Sequence, residues 1–215
     1  MPFTTPDHIV YVVQDLDNAV TWFSQKSGVL PIAGGPHPGR GTRMALVALG
    51  ERTYLELIGP DLEQPEPERP RSFGMDGLRE PKLVTWAVGC GNGDAPPLDD
   101  RVTAARASGY DPGDVFDWSR DRPDGVHLAW RMTMLRDPLP ADGLVPFLID
   151  WGATLHPAAG APGGCRLVGL RGEHLQPKLV QSTLRALGVD LPVGPGSAPA
   201  LVATLETPNG RLELR

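Results

Sequence analysis

The sequence predicts an α+β protein assembled from repeated β-α-β-β-β units. Three observations carry this. Short apolar runs rich in β-branched and aromatic residues alternate as strands do, a helix-length stretch follows the first run of each group, and the pattern recurs along the chain. The 215 residues include 26 Gly and 24 Pro, which suits many short elements joined by turns and works against long helices. At 40% hydrophobic, the chain can bury a sizeable core, as one domain or two small ones.

The first unit spans 7–59. Asp7 to Val13 reads as a strand in which His8 points with Val10 and Val12, because alternate side chains share a face. Asp15 then caps a helix carrying Leu16, Ala19, Val20 and Phe23, and Gly28 takes its left-handed C-terminal position. A short extended stretch, Val29 to Ile32, leads into a glycine-rich loop from Gly34 to Thr42. Met44 to Leu49 is the next strand, and Tyr54 to Ile58 the last, with Glu56 pointing with Tyr54 and Ile58.

The second unit spans 82–152, after a Pro-, Glu- and Arg-rich linker at 60–80. Leu83 to Val88 is a strand, Leu98 to Ser108 a helix ended by Gly109, and Val126 to Met132 and Pro146 to Trp151 are strands. An Ala/Pro/Gly linker at 153–165 precedes a third, β-α-β-β unit at 166–215: a strand at Arg166 to Arg171, a helix at Pro177 to Leu187 closed by Gly188, then two strands around an Asn209-Gly210 turn.

The formal charge of −6 and the absence of a basic run leave no electrostatic footprint for nucleic acid or an anionic membrane. No run approaches membrane-spanning length, and the first residues lack a signal-peptide pattern, so a cytoplasmic location is the expectation. Cys90 and Cys165 are too few for a disulfide framework, and neither lies in a Cys-x-x-Cys or beside a His. Buried, idle thiols are expected.

His8 and Glu56 are the chain's strongest chemical signal. A carboxylate among strand apolar residues must be protonated, hydrogen-bonded, or turned toward a wet cavity or a cation. With an imidazole lining the same cavity, the pair reads as ligands for a divalent metal or as an acid/base pair. The duller alternative is a His satisfied by a backbone carbonyl and a Glu on an exposed face.

The order β-α-β-β-β, with His on the first strand and Glu on the last, resembles a module of the vicinal oxygen chelate superfamily. Asp7 to Leu16, the His37 to Thr42 loop, Tyr54 to Pro60 and Val145 to Gly152 are similar to the glyoxalase-like domain family. The resemblance implies that the two modules in 1–152 close a cup-like mixed sheet around a small-molecule site, leaving the third to pack outside or against a second subunit in a homodimer. It also implies a divalent ion (Zn, Mn, Fe or Ni) held by His8, Glu56 and two further residues. Matching strands by their ends sets Val84 opposite His8 and Ile149 opposite Glu56, and a one-residue shift brings Thr85 and Asp150 instead. Arg43, placed beside Glu56, competes with the ion by pairing the carboxylate.

Six further residues are candidates for contact with a ligand. His37 stands in the Gly/Pro loop, where a side chain contacts a ligand or is simply solvated. Arg40 and Arg43 grip a carboxylate or phosphate, or pair with acidic neighbours. Trp86 and Trp130 form cavity walls or belong to the core. Asp150 is a ligand or caps the turn at Gly152. His156 and His174 read as loop-end residues, and His127 as solvent-facing. Two functions follow from the resemblance: a metal-dependent lyase, isomerase or dioxygenase in which Glu56 or another carboxylate moves a proton, and a metal-free protein of the antibiotic-sequestering type that holds a ligand without turnover.

Overall fold

A computed structural model describes residues 3–93, 95–122, 125–133 and 137–215. The first strand, β1 (His8–Val12), is buried at every position. It pairs in parallel with β4 (Thr53–Pro60) and antiparallel with β5 (Lys82–Gly89). A strand covered on both faces reads as a continuous apolar run, which accounts for the composition of β1.

Helix α1 (Leu16–Ser27) begins where Asp15 accepts the amide of Asn18 at 3.0 Å. It ends at Gly28, whose φ of 79° suits a residue without a Cβ. The glycine-rich stretch differs from its reading as a loop: Ile32–His37 is a strand, β2, paired with β3 (Thr42–Gly50), leaving a turn at 38–41. The missing side chain at Gly34 makes this pairing fit, since a Cβ there would meet Met44 Sδ at 2.8 Å.

In the second unit, α2 (Leu98–Ala107) is followed by β6 (Val115–Asp121), β7 (His127–Thr133) and β8 (Phe147–Asp150). Strand β6 escapes the sequence reading because its half-exposed Phe-Asp-Trp-Ser-Arg composition hides the apolar period. The resulting sheet has eight strands in the order β2-β3-β4-β1-β5-β8-β7-β6.

That sheet is cup-like. Flat, its edges would lie roughly 34 Å apart at about 4.8 Å per step, yet Arg120 on edge strand β6 donates a hydrogen bond to the Gly34 carbonyl on edge strand β2. Twist and curvature have brought the two ends together.

Two cores lie on the two faces. The inner cluster contains Val10, Met44, Tyr54, Val84, Phe147, Ile149 and Trp151. The outer cluster contains Ile9, Phe23, Leu57, Trp86 and Leu148, together with Leu170, Leu184, Leu201 and Leu205 from the third unit. Each fully buried side chain of this size contributes about 1.5–3 kcal/mol. The third unit comprises β9 (Arg166–His174), α3 (Pro177–Leu187), β10 (Val193–Pro195), β11 (Ala200–Thr207) and β12 (Gly210–Leu214). Its own sheet, in the order β10-β9-β11-β12, covers the outer face of the cup through that shared core.

Both stretches read as linkers contribute to the inner core. Met75, with Phe73 and Leu78, packs there from the 60–80 segment, and Ala158 and Ala161 from the 153–165 segment. Cys90 and Cys165 are buried free thiols.

Candidate active site

His8 and Glu56 project from β1 and β4 onto the concave face, where Glu56 pairs in register with Val10. Both are buried, at 4% and 7% exposure. His8 Nε2 lies 3.7 Å from Glu56 Oε2. From the end of β2, His37 Nε2 approaches the other carboxylate oxygen, Oε1, at 3.9 Å. Both separations exceed direct hydrogen bonds. Among the described residues, the Glu56 carboxylate thus faces two imidazole nitrogens without being tied to either. Burial raises the Glu56 pKa, against the pull of His8 and Arg120.

His8 is held from behind. Its Nδ1 lies 2.8 Å from Asp7 Oδ1, which with an ionised Asp7 makes Nδ1–H the donor and turns Nε2 toward Glu56. Its ring stacks on Tyr54 with centroids 4.6 Å apart and meets the edge of Phe147 at 5.4 Å. Asp7 also accepts from Trp151 Nε1 at 3.1 Å and from His156 Nε2 at 3.0 Å. His156 Nδ1 accepts the Ala158 amide at 3.2 Å, so its proton is on Nε2, as the bond to Asp7 requires. Burial alone would raise Asp7, but the hydrogen bonds from His156 and His8 outweigh it and hold the carboxyl at about 2.

The opposite side of the site is positive. Arg120, 7% exposed, donates to the Gly34 carbonyl and approaches Met44 Sδ at 3.2 Å. Arg40 lies with its guanidinium carbon 4.4 Å above the Trp118 ring. Burial, then Arg120 and Arg40, push His37 down to about 3, so its imidazole is neutral at pH 7. His37 Nδ1 lies 3.0 Å from Thr42 Oγ1. In the tautomer where the Thr42 hydroxyl donates to Nδ1, His37 presents an Nε2–H beside Glu56.

The structure therefore brings His8, Glu56 and His37 together, with Arg40 and Trp130 on the same side of the sheet; Trp130 packs against Trp151 at 5.3 Å. Three residues expected near the site are elsewhere. Trp86 belongs to the outer core and donates from Nε1 to the Leu144 carbonyl at 3.0 Å; it pairs in register with Ile9 of that core, and the register shift between Thr85 and Leu83 takes Val84 out of the simple alternation. Arg43 does not pair with Glu56; it turns outward and grips Asp17 at 3.1 and 2.8 Å. Asp150 caps the turn, accepting the Gly152 amide at 2.9 Å.

The sequence reading gives no role to Asp7, Arg120 or Trp118: Asp7 stands beside His8 within the first strand motif, where adjacency to the histidine is the available signal, and Arg120 and Trp118 are hidden with β6. His156 was read as a loop end; its segment carries it to Asp7. His127 is exposed and pairs with Asp121 at 2.7 Å, and His174 lies 3.3 Å from Asp142.

The family resemblance implies a divalent ion, and the donor set can be tested against it. One half of the cup offers His8 and Glu56, with His37 beside them, but on the other half Val84, Ala87, Phe147 and Ile149 carry no donor atoms, and buried Thr85, paired in register with Val10, brings a hydroxyl and not a charged or imidazole ligand. Among the described residues, no group of three or more His, Cys, Asp or Glu side chains is arranged to hold a metal ion. The Arg120 cation acts on the Glu56 carboxylate from the same space. These residues do not fit an ion bound by two ligands from each module.

Residues 7–188 match the family described as Glyoxalase-like domain. The chain belongs to the glyoxalase-like domain family. Its cup-like sheet is of the vicinal oxygen chelate type that this family shares. A hypothetical protein from Staphylococcus aureus is 14% identical over 98% of this chain and 84% of that one, with a TM-score of 0.63. A methylmalonyl-CoA epimerase from Mycobacterium tuberculosis is 22% identical over 70% of this chain and 89% of its own, with a TM-score of 0.45. A hypothetical protein from Bacillus halodurans gives 16% identity over 70% and 96%, and a TM-score of 0.45. The likeness to the Staphylococcus aureus protein bears on the fold alone. No curated protein matches the chain. Among the described residues, no helix is long and apolar enough to cross a membrane.

Proposed function

We propose that the concave face is a metal-independent acid/base site that enolises a small carbonyl compound, with Glu56 as the base. The observation that supports this most directly is the Glu56 carboxylate itself: buried, raised in pKa, and 3.7 and 3.9 Å from two imidazole nitrogens without a hydrogen bond to either. A carboxylate destabilised in its charged form is a stronger base than one in water, and perturbed groups of this kind concentrate at catalytic sites.

Glu56 takes a proton from the carbon next to the ligand's carbonyl. The C–H electron pair becomes the new C=C bond, and the carbonyl π pair moves to oxygen, giving an enolate. Neutral His37 donates its Nε2–H to that oxygen, and the nearby Arg120 charge favours it. Asp7 holds His8 so that Nε2 faces Glu56 and can share its proton. Return of the proton from Glu56 to carbon restores a carbonyl compound.

A second reading, sequestration without turnover, is favoured by the aromatic lining: Tyr54 and Phe147 around His8, and Trp130 against Trp151. Deuterium wash-in separates the two. Wild-type protein with 2-oxobutyrate in D2O should incorporate deuterium at C3, and Glu56→Gln should lower the rate by roughly 100-fold or more. Binding without wash-in favours sequestration.

A further inference from the structure

Resting on the reading of the concave face as the ligand site, we infer that the ligand is a small carboxylic acid whose carboxylate docks between Arg120 and Arg40, where the two edges of the cup meet. A guanidinium has five N–H donors and no way to shed its charge. Among the described residues, the acceptors at Arg120 are an uncharged carbonyl and a thioether, on Gly34 and Met44. Among the described residues, no carboxylate lies within ion-pair distance of it. A buried cation left in this way is costly unless an anion arrives.

Two neighbours point to the same occupant. Trp118 stands two residues before Arg120 on β6, so both project to one face. Among the described residues, its buried Nε1 has no hydrogen-bond partner. Arg40 lies over that indole ring at 4.4 Å. Arg120, Arg40 and Trp118 thus gather unspent N–H donors and two positive charges, and a planar carboxylate matches the guanidinium fork with two parallel bonds.

The arrangement also orients the ligand. Glu56 repels a carboxylate, so the acid end goes to the arginines and the carbon end is left toward Glu56. The site has a positive pole and a basic pole.

Calorimetric titration with 2-oxobutyrate and its neutral amide, 2-oxobutanamide, tests this. Wild-type protein should bind the acid roughly tenfold or more tightly than the amide. Arg120→Met should erase that preference, and Arg40→Ala should reduce it several-fold. Glu56→Gln should keep or increase it, because the variant removes the repelling charge while abolishing wash-in. Equal binding of acid and amide by wild type, no acid binding at millimolar concentration, or an unchanged preference in folded Arg120→Met overturns the inference and leaves Arg120 as a clasp between sheet edges. If Arg120→Met does not fold, Arg120→Lys, which keeps the charge but loses the fork, should lose several-fold of the preference; full retention overturns it. Acid preference without wash-in in wild type would sink the enolisation reading and leave this one standing.

Discussion

Asp7 and His156, 149 residues apart in sequence, meet at 3.0 Å through a buried hydrogen bond from His156 Nε2 to Asp7 Oδ2. The same carboxylate receives Trp151 Nε1 and, through Oδ1, holds His8 Nδ1. The orientation of His8 at the site is therefore fixed from the segment after β8 as well as from its own strand. A network of this kind is stabilising only while every member is satisfied.

Asp7→Asn should destabilise the protein by an amount on the order of 2 kcal/mol at pH 7, the free energy matching a carboxyl held at about 2 rather than 3.8. A carboxyl with a depressed folded-state pKa contributes stability that is fully present above its unfolded value and is lost as pH falls through its folded value. The difference between wild type and Asp7→Asn, measured by urea unfolding, should thus shrink between about pH 4 and pH 2. A constant difference across that range would contradict the assignment.

His156→Ala should cost about 1–3 kcal/mol, since it strips a buried acceptor of its donor and removes the cap on the Ala158 amide. Chemical denaturation reads the stability. Deuterium wash-in should fall as well, because Asp7 no longer sits squarely behind His8. An unaltered wash-in rate in the folded variant would separate His156 from the site.

His37 carries an acid signature of the same sign in a higher pH window. Its folded pKa is about 3 against an ordinary 6.5, so between those values the unfolded chain binds a proton that the folded chain refuses. Folding stability therefore rises with pH across this window and is lost as pH falls toward 3, and His37→Gln should flatten that acid limb. Thermal melts at half-unit pH steps from 7 to 3 provide the check.

Arg43→Ala should leave ligand binding and melting temperature nearly unchanged, because its partner Asp17 is exposed and the pair points away from the concave face. A large loss of binding would mean that the guanidinium swings inward in solution.

The strand-helix punctuation was legible where each residue's choice was local. Asp15 and Gly28 mark the ends of α1, and the alternation around His8 and Glu56 predicts their shared face. What the sequence hid depended on distant pairing. Gly34 to His37 looks like a loop because glycine and proline disfavour strands, and it is the pairing with β3, with Met44 packed where a Gly34 Cβ would stand, that makes a strand there. Arg120 is invisible as a site residue until the cup closes and carries β6 to β2. Trp86 reads as a cavity wall or as core, and it is core; an irregularity in the β1–β5 register, between Val10 and Tyr11, shows why counting alternate residues along β5 could not decide between the two.

The measurement closest to the central claim is the pH dependence of deuterium wash-in at C3 of 2-oxobutyrate, wild type against Glu56→Gln. If Glu56 is the base, the wild-type rate should rise with pH through a midpoint above the ordinary carboxylate value of 4.5, in the direction burial pushes this group, and the limb should vanish in Glu56→Gln. A limb of equal height and midpoint in Glu56→Gln would show that another group moves the proton, and the account of this site would fail.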